Sequence, residues 1–160
     1  PAGLRVTHLD SHRHVHCLPG FAEVVLDGAR RHAIVHVRHS TESAETLLGR
    51  PVARLKARAL RLALGGVPHM DAVRFAGIAL MASPTFEADL HSLLAALPAG
   101  DTEVMVHPGY DSPELAALDS YREPRERELR ALTSPALLEA MRILAVQPCH
   151  FGAPATSPPA

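Results

Sequence analysis

The chain has 160 residues, 47% of them hydrophobic and 21% charged, with 16 Lys and Arg against 17 Asp and Glu. One folded domain with a real core fits these values, and a disordered chain does not. The near-zero net charge argues against nucleic acid or an anionic membrane as a partner, and no apolar run approaches the roughly 20 residues of a spanning helix.

Other features are unusual. There are 11 histidines and no tryptophan. The first residue is Pro1, and a strand-like pattern begins within a few residues, so the reading at this level is of a chain whose beginning has been removed. No signal-peptide pattern opens it. Cys17 and Cys149 are far apart and form no CxxC pair, which favours a reduced, cytoplasmic setting.

In chain order, residues 4–9 alternate and predict a strand that ends near a histidine cluster. Phe21, Val24, Val25 and Ala29 then recur at helical spacing. "AIVHVR" (residues 33–38) is a second strand, and a polar loop leads to a helix over residues 51–64, with Pro51 near its start and Gly65-Gly66 at its end. "VRFAGIAL" (73–80) is a third strand. "SPTFEADLHSLLAAL" is a helix with Ser83 as N-cap and Pro84 in its first turn. "TEVMVHPG" (102–109) is a fourth strand, stopped by Pro108-Gly109. Residues 112–132 and 133–144 are two more helices, each opened by Ser-Pro, with Leu115, Leu118, Leu129 and Leu132 on the buried side of the first. The tail, 153–160, reads as disordered.

Alternating strands and helices predict an α/β fold of parallel strands with outer helices. About four βα units are present, half the eight of a closed barrel, and a half barrel leaves two sheet edges open for a partner or a second copy. In such folds chemistry sits at the strand ends, where two histidine-bearing motifs fall.

The first motif is "HLDSHRHVH", in which every second residue from His8 to His16 is His or Asp. Neutral imidazole is the commonest protein ligand for Zn2+ and similar ions, and Asp adds a hard oxygen. In a strand, His8, Asp10 and His12 would project to one side. Chance clustering of surface histidines is the bland alternative, and strict alternation argues against it. The second motif is "TEVMVHPGYD", which presents His107 at a strand end, able to exchange a proton near neutral pH. Glu103 lies on its side of the strand.

The charge-dense stretch "SYREPRERELRAL" is explained by i,i+4 pairs, Glu123 with Arg127 and Glu126 with Arg130, on a solvated helix face; Tyr121, Arg122 and Glu126 are its candidates for the site. The arginines of residues 54–61 read as a solvated face too. His32, His36, His39, His69, His91 and His150 read as structural or surface residues. No phosphate loop and no serine nucleophile elbow occurs. Metal-assisted hydrolysis is the chemistry left.

"THLDSHRHVHCLPG", "TEVMVHPGY" and "LDSYREPRERELRALTSP", in this order, resemble the YdjC-like carbohydrate deacetylase family, most of all its branch associated with hopanoid biosynthesis. The resemblance implies an irregular (β/α) TIM-like barrel, of which residues 1–152 would be a C-terminal part. It also implies removal of an acetyl group from N-acetylated oligosaccharides or a related glycolipid with a divalent metal, Mg2+ first and Zn2+ as the alternative. By the same resemblance His12 is a metal ligand and His107 the general acid. Asp10, His14 and His16 line or support the pocket, and Glu103, Tyr121, Arg122 and Glu126 fall on recurrent family positions. Arg13 stands where Gln or His is common, and "PHMDAVRFAG" is a loose version of its family segment. Family members also begin with a strand ending in paired aspartates, which this sequence lacks. The 160 residues alone are therefore expected to bind metal weakly and to catalyse poorly, and a non-catalytic half barrel, as a homodimer or with another chain, is the competing expectation.

Overall fold

The computed structural model describes residues 4–42, 55 and 73–151. Apart from residue 55, the helix expected over residues 51–64 lies outside them, as do its arginines, Gly65-Gly66, His69 and the tail from 153 onward.

The elements, in chain order, are β1 (His8–Leu9), α1 (Phe21–Arg31), β2 (His36–Val37), β3 (Arg74–Ala76), α2 (Phe86–Ala95), β4 (Thr102–Val104), α3 (Pro113–Leu118), α4 (Glu123–Leu132) and α5 (Pro135–Ile143). The fold is α/β with parallel strands. β1 pairs with β2, setting His8 opposite His36 and Leu9 opposite Val37. β3 pairs with β4, setting Phe75 opposite Glu103. A single parallel bridge from Glu42 to Phe75 links the chain beyond β2 to β3. The buried Glu42 carboxylate also accepts backbone N–H groups from Gly77 and Ala79, each at 3.2 Å, so it caps the tight turn Ile78–Leu80 that follows β3.

The strands are shorter than the alternating patterns suggest. β1 is two residues long, and the histidines after it lie in a pair of tight turns over His12–Cys17 rather than along a strand. β3 stops at Ala76 because Gly77 turns the chain with φ 115°. α2 begins at Phe86, later than Ser83-Pro84 implies: Ser83 accepts the Thr85 N–H at 3.1 Å and bonds the Asp89 carboxylate, folding the entry turn before the helix starts. The single helix expected over residues 112–132 is two, parted by an extended Asp119. Ser112 caps α3 by accepting from Leu115 N, and Ser134 caps α5 by accepting from Ala136 N, both at 3.1 Å.

Two apolar clusters hold these elements. Ala76, Leu80, Phe86, Leu90, Leu93, Leu94, Ala131 and Leu137 join β3 and its turn to α2, α4 and α5. Leu26, Ala29, Ile34 and Val37 join α1 to β2. The buried face of α1 is Ala22, Leu26 and Ala29, whereas Phe21 and Val24 are exposed. Leu118, expected inside, is 86% exposed, and Glu128 takes an interior place on α4 instead. Phe151 crosses back to the first sheet, with its ring stacked on His36 at 4.1 Å and against His8 at 4.4 Å.

Candidate functional site

The first motif is built on strained backbone. Arg13 (φ 54°) and His14 (φ 56°) are both left-handed, a conformation that costs a residue with a side chain roughly 1–2 kcal/mol. The chain thereby doubles back after Ser11 and separates three histidines that a strand would have aligned. His12 is exposed, and its ring makes no hydrogen bond among the described residues. His14 is half-buried; its Nδ1 lies 2.6 Å from the Ser40 hydroxyl and its ring meets the Phe75 ring edge-on at 5.6 Å.

His16 is buried with both ring nitrogens engaged. Nε2 is 2.8 Å from the Arg38 carbonyl, which can only accept, so Nε2 carries a proton. Nδ1 is 2.7 Å from the Ser11 hydroxyl, which in turn accepts the His16 backbone N–H. Burial pulls this imidazole down, but the Cys17 sulfur and the Arg38 carbonyl outweigh it and the net shift is upward. His16 thus clips the turn to β2. His14 goes the other way, down to about 4, chiefly through burial and then through the Arg38 charge. It is neutral at pH 7.

Arg38, just past β2, stands between the two motifs. Its Nε donates to Glu103 Oε1 at 2.7 Å and its Nη2 donates to the same oxygen, while Nη1 pairs with Asp10 Oδ2 at 2.7 Å. The Phe75 ring lies beneath the guanidinium at 5.8 Å. Glu103 Oε2 also faces His36 Nε2 at 3.5 Å. Burial alone would raise the Glu103 carboxyl, but His36 and Arg38 more than reverse this and hold it at about 2.

The second motif is held from α4. Glu128, 1% exposed, accepts the His107 backbone N–H on one oxygen and the Tyr121 hydroxyl on the other, the latter at 2.6 Å. Tyr121 accepts the Ala82 N–H at 2.8 Å, and its ring sits edge-on to His107 at 5.5 Å. Burial and the Glu128 bond push its hydroxyl up to about 12, so it stays a donor. Arg125 donates to the Tyr121 carbonyl and to Asp119, at 2.7 and 2.6 Å, with its guanidinium over the Tyr121 ring. His107 itself is shifted downward: burial leads, Arg125 and Arg38 reinforce it, and Glu128 and Asp119 oppose it.

Arg38 acts on both His14 and His107, and His107 acts on His14. Asp10 and Glu103 are thus joined through Arg38, and Tyr121 lies against His107. Arg122 stands apart, held by Asp111 through two 2.7 Å bonds at the rim, where Glu126 accepts the Asp111 N–H. Among the described residues no three His, Cys, Asp or Glu side chains converge to hold a metal ion. A catalytic zinc takes three protein ligands, so these residues fit a divalent metal only in part: His12, unengaged and exposed, is the imidazole best placed to donate, and other ligands would have to come from outside the described residues.

Sequence reasoning missed Arg38, His36, Ser40, Arg125 and Glu128. Arg38 follows an apolar strand just as His107 does, and the same strand-end criterion would have found it. Glu128 carries no such signal, since its neighbours Glu123 and Glu126 look the same in sequence and are not buried.

No helix among the described residues is long and apolar enough to cross a membrane. The YdjC-like protein family model matches residues 1–142. A carbohydrate deacetylase of Geobacillus stearothermophilus is 35% identical over 153 residues, covering 91% of this chain and 50% of the relative. A carbohydrate deacetylase of Thermoanaerobacter pseudethanolicus is 25% identical over 140 residues, covering 88% of the chain and 49% of the relative. The chain spans about half the length of these curated relatives. No solved structure matches it significantly. With its family match running through both histidine motifs and the α4 segment, the chain belongs to the YdjC-like family.

Proposed function

We propose that the chain is the C-terminal part of a carbohydrate deacetylase that hydrolyses the acetamide of an N-acetylated sugar or related glycolipid. In this reading residues 1–152 complete an irregular (β/α) barrel. The observation that carries it is the Asp10–Arg38–Glu103 chain of ion pairs, which ties the segment of the first histidine motif to β4, the strand that leads to His107.

His107 does the proton work. Its downward shift leaves the imidazole neutral at pH 7, so it first takes the proton that water loses on attacking the acetyl carbon. It then delivers that proton to the nitrogen as the C–N bond breaks, giving acetate and a free amine. Glu128 and Tyr121 fix the backbone and ring of His107 during the transfer. A divalent metal, Mg2+ first and Zn2+ second, would be held partly by His12 and, when bound, would polarise the carbonyl. The free thiols of Cys17 and Cys149 suit a cytoplasmic setting, and the hopanoid-associated branch is the subgroup proposed.

The test is acetate release from N-acetylated chitooligosaccharides by the 160-residue chain, with Mg2+, Zn2+ or a chelator. The expected result is metal-dependent turnover well below that of the Geobacillus relative, abolished in His107→Ala. Turnover that survives His107→Ala sinks the assignment. A second reading, a non-catalytic half barrel that pairs with a second copy, is favoured by the exposed Leu4, Phe21, Val24 and Val35. A dimer mass in size exclusion with no acetate release would support it.

A further inference from the structure

Arg38 belongs to neither histidine motif, yet three of its nitrogens are committed to two carboxylates, that of Asp10 just past β1 and that of Glu103 on β4. Its own carbonyl holds His16 Nε2, so the residue that joins Asp10 to Glu103 also anchors the turn carrying His12 and His14. The guanidinium side chain is 17% exposed, Glu103 is 12% and Asp10 42%. A lysine offers one compact ammonium on a flexible stem, whereas the planar fork of arginine presents separate nitrogens to the two carboxylates in a fixed geometry. We propose that Arg38 is the positioning residue of this site, locking Asp10 and Glu103 into one unit and holding its own charge within reach of His14 and His107. The chemical step it serves is the deacetylation proposed above; the coupling itself does not depend on that reading.

A merely structural ion pair is the alternative, and stability cannot separate the two, because removing Arg38 leaves the Glu103 carboxylate unpaired and destabilises the fold under either role. The charge environment of His107 can. Glu128 and Asp119 face that ring as anions, and Arg125 and Arg38 as cations. In the full chain, with His107→Gln used to assign the resonance, Arg38→Met is expected to raise the His107 titration midpoint measured by NMR. Arg38→Lys should leave most of the wild-type midpoint. In acetate release Arg38→Met should lower kcat by about 10²-fold with little change in KM, the loss typical of a misplaced catalytic group, and Arg38→Lys should recover part of it. An unmoved His107 midpoint in folded Arg38→Met overturns the proposal. Should Arg38→Met fail to fold, Asp10→Asn, at an exposed position, tests the same link: it should shift the Arg38 Nε–H resonance and the Glu103 titration, and no change in either is equally fatal. The resonance measurements need no turnover, so a failed deacetylase assignment is read separately from a failed coupling.

Discussion

Two carboxylates carry most of the weight at the scale of single residues. Glu128 is nearly sealed from solvent and accepts from His107 N–H and Tyr121 O–H. Tyr121→Phe keeps the ring against His107 but removes a donor from Glu128 and an acceptor from Ala82 N–H. A loss of about 1–3 kcal/mol in urea denaturation is expected, the cost of leaving buried polar groups unpaired. Glu103 has the opposite exposure to pH. Its folded value lies near about 2 against an ordinary 4.5, so the stability it contributes is complete above about pH 4.5 and is lost as the pH falls towards 2. Arg38→Met removes one cause of that depression, and its acid-unfolding midpoint, followed by circular dichroism, should move to higher pH.

At the scale of elements, the β3–β4 pair depends on one glycine. Gly77 is left-handed, and a Cβ there would overlap the Met105 carbonyl oxygen and lie 2.8 Å from the Met105 nitrogen. That nitrogen donates to the Ala76 carbonyl at 2.8 Å, extending the pairing towards His107. Gly77→Ala should therefore cost at least about 2 kcal/mol by thermal unfolding, from strain and overlap together, and should disturb His107 through β4. A Gly100→Ala control meets only the end of the Arg74 side chain, which can move aside; it keeps the penalty of a positive φ, so the difference between the two variants isolates the overlap.

Across the whole molecule, the apolar cluster shared by β3, α2, α4 and α5 is the larger, and that of α1 and β2 is smaller, with Phe21 and Val24 on the outer face. Amide hydrogen exchange should accordingly be slower in α2 than in α1, and equal protection would show a single cooperative unit. Parallel strands, α1, α2, β4 and the Ser-Pro helix starts at Ser112 and Ser134 were legible because each is set by local periodicity or capping chemistry, whereas Ser83-Pro84 misplaced the start of α2. The site was legible only where it borrowed those signals. His107 stands out at a strand end, and so could Arg38. The roles of His12, His14 and His16 were hidden, because alternation in sequence implies a common face only in a strand, and this segment turns. Glu128 is concealed differently: it is buried by tertiary contacts that no helical spacing reports.

The left-handed pair at Arg13 and His14 has an evolutionary consequence. Ordinary side chains there are a standing load on the fold, and Arg13, exposed at its tip, is the cheaper one to relieve. Arg13→Gly should raise the melting temperature slightly, since glycine adopts that backbone freely, whereas the same change at Val15 should lower it. Drift selected for stability alone would move this turn towards glycine; with an arginine in place the fold carries a load that one substitution can lift.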